Sequence, residues 1–191
     1  MAIIANNPGN LEERGQGFAG QTGRVYDGGK FFGSVKEGGR FIEFDTPEMG
    51  LRAVFRDLKT KIKEFDGDVN KIITKFAPSN ENVTDKYINR IKKSIGKDKK
   101  ITDKNLSKVV KEMVAIESDD NPAMMKYYLD NPNIINAAEE LSLIDLPSST
   151  TGKTALKIYN KGEFAGYDTP RKHGGRIMNQ TQLNYNKQRF I

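Results

Sequence analysis

The residue with the clearest capacity for chemistry is a glutamate at the end of an amphipathic helix pattern. Apolar residues recur at spacings of i, i+3, i+4, i+7 and i+8 from Leu106 to Val114, and Glu117 occupies the next position, i+11. At about 100° per residue, this spacing places Glu117 on the buried face of the helix. Burial disfavours a charged carboxyl, so we expect a raised pKa and a protonated group near neutral pH. The alternative is that Glu117, at the helix end, turns into solvent or caps a neighbouring helix.

The composition removes several other kinds of catalytic site. The chain has no cysteine, which excludes disulfides, thiolate zinc sites and cysteine nucleophiles. Its one histidine, His173, is too few for a two-histidine zinc motif, and a Ser-His-Asp triad would have to recruit it. The remaining chemistry belongs to carboxylates, hydroxyls, amides and tyrosines, with cleavage of glycosidic bonds as the leading example. We therefore expect no metal and no cofactor.

The elements that must position Glu117 are mostly helices. Asp45 or Thr46 followed by Pro47 is typical of a helix start, and this helix is expected to stop at residues 65–68. Further helices are predicted at about 69–76, 83–95, 102–118 and 134–141, with a helical turn up to residue 128. Before them, glycine turns and β patterns predict a hairpin at 24–32 and a third strand at 40–44. The predicted fold class is α+β, mainly helical, with a small β wing.

Charge divides the chain into two parts. The 191 residues have a net charge of +6, and residues 147–191 alone contain eight basic and two acidic residues, which leaves residues 1–146 neutral. We predict one domain at 1–146 and a basic, extended arm at 147–191 that is dispensable for folding. The arm is expected to lie on neighbouring subunits, with nucleic-acid binding as the alternative. Its spaced aromatic residues are Tyr159, Phe164, Tyr167, Tyr185 and Phe190.

Membrane insertion by the chain itself is not expected. The apolar stretches are short and interrupted by charged residues, whereas a span needs about 20 apolar residues. The first residues also lack the charged and apolar regions of a signal peptide.

A resemblance to a known family rests on three segments that occur in order. They are N-N-P-G-N at residues 6–10, F-I-E-F-D-T-P-E-M-G-L-R-A at residues 41–53 and F-A-P-S-N-E-N-V-T-D-K-Y-I at residues 76–88. Together with a late helix that ends in a glutamate, they resemble a family of phage virion proteins with a lysozyme-like domain related to lytic transglycosylases. The resemblance covers roughly residues 6–120. Asp119 stands where that pattern has glycine, and Phe76 where tryptophan is common.

The resemblance implies a place and a role for Glu117. In soluble lytic transglycosylases the catalytic glutamate lies near the start of the domain, whereas here it follows the helix pair at 50–95. The sequence is similar to a circularly permuted version of that fold, which would bring Glu117 beside residues 6–10. Glu117 would act alone as general acid and base, with Glu48 as the alternative, although a helix N-terminus also explains an acid there. Glu43 is a weaker rival because it alternates outward on its strand.

The function that the resemblance implies is that of a virion component, in the capsid interior or tail complex. Made in the host cytoplasm, it would cleave peptidoglycan glycan strands as a lytic transglycosylase during host entry. Its arm, residues 147–191, would contact other virion proteins or DNA. The rival is a non-catalytic virion structural or interaction protein on the same fold.

Five residues are predicted to line the substrate cleft, because amides, carboxylates and phenols in turns suit sugar hydroxyls and N-acetyl groups. They are Asn7, Asn10, Asn80, Glu81 and Tyr87. The alternative is that Asn7 and Asn10 are turn residues and that Tyr87 belongs to the core.

Overall fold

The described part of the chain is mainly helical. The computed structural model describes residues 6–25, 39–79, 83–96, 100–118 and 122–161. In these ranges the elements are β1 (Gln21–Val25), β2 (Phe41–Phe44), α1 (Pro47–Phe65), α2 (Val69–Phe76), α3 (Thr84–Ile95), α4 (Leu106–Glu117), α5 (Pro122–Leu129), α6 (Pro132–Leu141) and α7 (Gly152–Lys161). One antiparallel strand pair accompanies the helices, which agrees with the predicted α+β class.

Helix α1 is the central element and packs against α2, α4, α6 and β2. Thr46 caps it by accepting a hydrogen bond from the Met49 N–H at 3.3 Å, and Pro47 follows as predicted. The helix ends at Asp66, which adopts the left-handed conformation with a φ of 50°. On the apolar face of α1, Leu51, Val54, Phe55 and Leu58 are fully buried, and Ile62 lies half-buried at the edge of the core.

Helices α2 and α3 lie where the sequence predicts them, whereas α4 starts later than expected. Asp68 caps α2 through a 3.0 Å bond to the Lys71 N–H. Before α4, the Asn105 side chain accepts from the Thr102 N–H at 2.9 Å and donates to the Lys100 carbonyl at 3.0 Å. These bonds hold residues 102–105 in a turn, so the helix begins only at Leu106.

Helices α5 and α6 follow Glu117 in the chain. Helix α6 begins two residues earlier than predicted, because Asn131 caps it by accepting from the Asn133 N–H at 3.2 Å. No helix in the described ranges is long and apolar enough to cross a membrane.

The described sheet pairs the first and the third strand of the predicted β wing. Strand β2 lies at the predicted third strand, and its partner is β1, with Val25 opposite Phe41 and Gln21 opposite Phe44. The predicted turn and returning strand, from residue 26 onward, lie outside the described residues. The two paired strands are therefore separated in the chain by residues 26–40.

A buried arginine ties α1 to the end of α6. Arg52 is only 3% exposed, and its guanidinium donates to the carbonyls of Leu141 at 3.0 Å and Ile144 at 2.9 Å. Burial, assisted by nearby Arg56, lowers the pKa of Arg52 to about 10. The side chain stays protonated at neutral pH and supplies additional donors to carbonyls at and just after the end of α6.

The start of the predicted arm contributes a helix to the core. Ala155 and Ile158 of α7 are buried in the main hydrophobic cluster, and the Gly152 N–H donates to the Asp45 carboxylate at 2.5 Å. The arm that the sequence predicts to be extended therefore begins with a helix at residues 152–161 that packs on the core, because a single apolar turn is enough to dock so short a helix. Tyr159 is half-buried on α7, and the other four aromatic residues of the arm lie outside the described residues.

Because α7 packs on the core, only residues 162–191 of the arm are still predicted to be dispensable for folding. Truncation after Lys161 should leave the melting temperature unchanged, whereas truncation after Leu146 should lower stability by about 2–4 kcal/mol, since it uncovers core residues. Thermal unfolding of the two truncated chains beside the full chain measures this. Equal melting temperatures for all three would show that α7 does not stabilise the domain.

Candidate active site

The loop at residues 6–10 is held against α1 by close contacts that only glycine permits. A Cβ on Gly50 would lie 1.7 Å from the Asn6 carbonyl oxygen, and one on Gly9 would lie 2.6 Å from the Val54 side chain. Both positions therefore exclude larger residues. The Asn6 side chain also donates to the Phe44 carbonyl at 3.0 Å, which ties the loop to β2.

Asn7 is completely buried behind this loop, and its amide is engaged by the backbone. Its Nδ2 donates to the carbonyls of Leu11 and Ile42, each at 2.9 Å, and its Oδ1 accepts from the Leu11 N–H at 2.8 Å. Both amide hydrogens are used in these contacts. Asn7 therefore shapes the loop and does not offer its N–H groups to a ligand, as the turn alternative anticipates.

Glu117, the last residue of α4, contacts the loop directly. Its side chain is buried, with 6% exposed, and Asn10 Nδ2 donates to Glu117 Oε2 at 2.9 Å. The two residues are 107 positions apart in the chain. The predictions that Glu117 lies on the buried helix face and beside residues 6–10 are both confirmed.

Asn10 presents a second polar atom to the same region. Its backbone is left-handed, with a φ of 45°, a conformation that asparagine tolerates better than most residues. Its Oδ1 is buried and has no hydrogen-bond partner among the described residues. Because a buried acceptor without a partner is costly, this atom is suited to receive a donor from a ligand or water.

Tyr87 of α3 supplies a hydroxyl close to Glu117. The residue is 4% exposed, and its ring meets the Phe76 ring edge-on at a centroid distance of 6.3 Å. Burial is the main cause that raises the pKa of Tyr87 well above 10, and the nearby Glu117 carboxylate is the second. The hydroxyl lies near that carboxylate without the geometry of a hydrogen bond, and it has no partner among the described residues. A raised pKa keeps the phenol protonated, so it remains a donor at every physiological pH.

A cleft of about 120 Å³ opens beside Glu117. Loop, strand and helix residues form its wall: Gly9, Asn10, Leu11, Glu12, Arg14, Gln16, Arg40, Phe41, Asp57, Lys61, Lys75, Phe76, Pro78 and Glu117. Of the predicted cleft residues, Asn10 lines it, and Tyr87 lies behind it next to Glu117. Asn80 and Glu81 lie outside the described residues.

The rival acids lie elsewhere. Glu48 is half-exposed in the first turn of α1, does not line the cleft, and contributes to the raised pKa of Tyr128. Glu43 is half-buried on β2 opposite Gly23. Within the described ranges, Glu117 is therefore the candidate acid that combines burial with access to a cleft.

Several cleft residues were not predicted from the sequence. Asp57 and Lys61 form an ion pair on α1, and each side chain is only about 15% exposed. They lie three and seven residues after Val54, at the border of the apolar face of α1. This position is the sequence signal that could have identified them. The described residues contain no cluster of three or more metal-ligating side chains.

Comparison with known proteins gives one informative match. No protein-family model matches the chain. A protein named P5, from Pseudoalteromonas phage PM2, is 32% identical over 120 residues, which is 61% of this chain and 70% of P5. Identity at this level over most of P5 indicates common descent. The chain therefore belongs to the family of phage protein P5.

Proposed function

We propose that the protein is a component of the phage particle and cleaves the glycan strands of peptidoglycan in a lytic transglycosylase reaction. Glu117 carries the proposal, because it is a buried carboxyl that lines a cleft and is held by a loop amide. Membership of a phage protein family and the resemblance of three ordered sequence segments to lysozyme-like virion proteins support the same conclusion.

The first chemical step uses Glu117 as an acid. Burial favours the protonated carboxyl, which donates its proton to the glycosidic oxygen as the bond between that oxygen and the muramoyl C1 breaks. The carboxylate that forms would accept the Asn10 N–H, since Asn10 Nδ2 lies 2.9 Å from Oε2. A hydrogen bond to a charged acceptor is stronger than one to a neutral acceptor, so this contact favours the departure of the proton.

The second step uses the same carboxylate as a base. It removes the proton from the C6 hydroxyl of the muramoyl residue, and the O6 atom attacks C1 to form a 1,6-anhydro ring. The carboxyl returns to its protonated form, and no water is consumed. One acid therefore completes the cycle, whereas an inverting hydrolase needs a second carboxylate to activate water.

Two buried polar atoms next to Glu117 would support the reaction. Asn10, which lines the cleft, can accept an N–H of the sugar through its Oδ1, and an N-acetyl group offers such an N–H. The Tyr87 hydroxyl, which does not line the cleft, can donate to the carboxylate that Glu117 becomes. These bonds would compensate two buried polar groups that are otherwise unfavourable.

A second candidate function is that of a non-catalytic virion protein on the same fold. The cleft volume favours it, since about 120 Å³ is less than the several hundred Å³ of typical ligand pockets. In that case Glu117 would stabilise the loop rather than react. The arm would then be the main functional element, contacting neighbouring virion proteins or DNA through its basic residues.

Replacing Glu117 by glutamine separates the two functions. The glutamine carbonyl can still accept the Asn10 N–H, so we expect the melting temperature to stay within about 3 °C. Without a transferable proton, clearing of purified cell walls in a zymogram should fall by at least about 100-fold. Glu48→Gln tests the rival acid, and Glu64→Gln, an exposed position on the same helix, serves as the matched control. Full clearing by the Glu117→Gln protein would overturn the assignment, and no clearing by the unaltered protein would favour the non-catalytic candidate.

Removing the Tyr87 hydroxyl should affect activity and stability in opposite directions. Tyr87→Phe deletes a buried polar group without a described partner, so the free energy of unfolding should stay equal or rise by up to about 1 kcal/mol. Activity should fall about tenfold or more, because the carboxylate that Glu117 becomes loses a donor. Tyr127→Phe, at a position 51% exposed, should change neither. Turbidity clearing and urea unfolding provide the two readouts, and unchanged activity in Tyr87→Phe would exclude a role of this hydroxyl at Glu117.

A further inference from the structure

The wall of the cleft beside Glu117 carries more positive than negative charge. Its basic members are Arg14, Arg40, Lys61 and Lys75, and its acidic members are Glu12, Asp57 and Glu117. The formal charge of the lining is therefore +1 when Glu117 is ionised and +2 when it is protonated. A cleft of this charge attracts anionic groups.

The ion pairs among these residues include every basic member of the wall except Lys75. Glu12 pairs with Arg14 at 2.8 Å and with Arg40 at 3.1 Å. Asp57 pairs with Lys61 on α1, which accounts for one charge of each sign.

Lys75 is the remaining cation of the wall. It lies on the last turn of α2, is exposed to solvent, and has no ion pair or hydrogen bond with any residue in the described ranges. A lone surface lysine carries no information, but this one gives the lining its net positive charge when Glu117 is ionised, since the other six charged residues then sum to zero. It is the group most able to gain an anionic partner from a ligand.

We propose that this basic rim, formed by Arg14, Arg40, Lys61 and Lys75, binds carboxylates attached to the muramoyl residues of the glycan strand. This inference rests on the proposed function. Because the rim and Glu117 line the same cleft, the anionic groups must belong to the polymer that Glu117 contacts. Muramoyl residues carry such carboxylates either on their lactyl group or on the peptide stem. The protein therefore selects carboxylate-bearing strands over neutral amino-sugar polymers.

Calorimetric titration of the full chain with Glu117→Gln, which prevents cleavage, tests the rim. The three probes are soluble glycan fragments that bear peptide stems, the same fragments stripped of peptide by an amidase, and a neutral chitooligosaccharide. Adding Lys75→Gln should weaken binding of the peptide-bearing fragments about two- to fivefold. Lys75→Glu should weaken it further, and binding of the chitooligosaccharide should not change. Lys71→Gln, an exposed lysine on the same helix that does not line the cleft, is the matched control.

Each outcome has one meaning. A loss confined to peptide-bearing fragments assigns the stem carboxylates, and a loss that extends to stripped fragments assigns the lactyl carboxylate. No loss with either fragment, or an equal loss with the chitooligosaccharide, overturns the inference. If the unaltered protein clears cell walls while Lys75 has no effect, the inference fails and the proposed function stands. If binding depends on Lys75 but no clearing occurs, the rim stands and the catalytic proposal fails.

Discussion

The buried hydrogen bond between Asn10 and Glu117 is the constraint on which the rest of the site depends. Removing a carboxyl from water is costly unless polar partners replace the lost solvation, so the loop and the end of α4 must meet within 2.9 Å. That meeting requires the loop to lie directly on α1, where Gly50 and Gly9 leave no room for a side chain. Asn7 then holds the loop's shape from behind, through bonds to Leu11 and Ile42.

Helix α1 connects this site to the opposite side of the domain. Its N-terminal half supports the loop, and the same stretch carries Arg52, whose guanidinium is bound to carbonyls at the end of α6. Asp45, just before the helix, receives the Gly152 N–H at the start of α7. The segments before and after Glu117 are therefore attached to one helix, and a change in the position of α1 would be felt at the carboxyl. Phe76 of α2 lines the cleft, and its ring meets Tyr87 of α3 edge-on.

The sequence predicts the features that depend on local interactions and misses those that depend on distant ones. Helices α1 and α2 could be bounded because Thr46, Pro47 and Asp68 are strong start signals and because Gly67 follows α1 and Pro78 follows α2. Burial of Glu117 followed from periodicity alone. The start of α4, by contrast, depends on side-chain bonds of Asn105 that compete with the helix, and the pairing of β1 with β2 joins segments far apart in the chain. Helix α7 has too few apolar residues to show a helical periodicity in the sequence. Lys75 can be recognised as part of a basic cleft wall only from the folded structure, because the other wall residues lie on other segments.

The central claim is that Glu117 cleaves the glycan bond without consuming water. Mass spectrometry of the soluble products released from purified cell walls, with the reaction run in ¹⁸O-labelled water, tests it most directly. The account predicts muramoyl ends in the 1,6-anhydro form, lighter by one water than reducing ends and free of ¹⁸O. Reducing ends that contain ¹⁸O would contradict it, since they form only when water, rather than the C6 hydroxyl, attacks C1. The absence of any released product would contradict the catalytic role of Glu117 altogether.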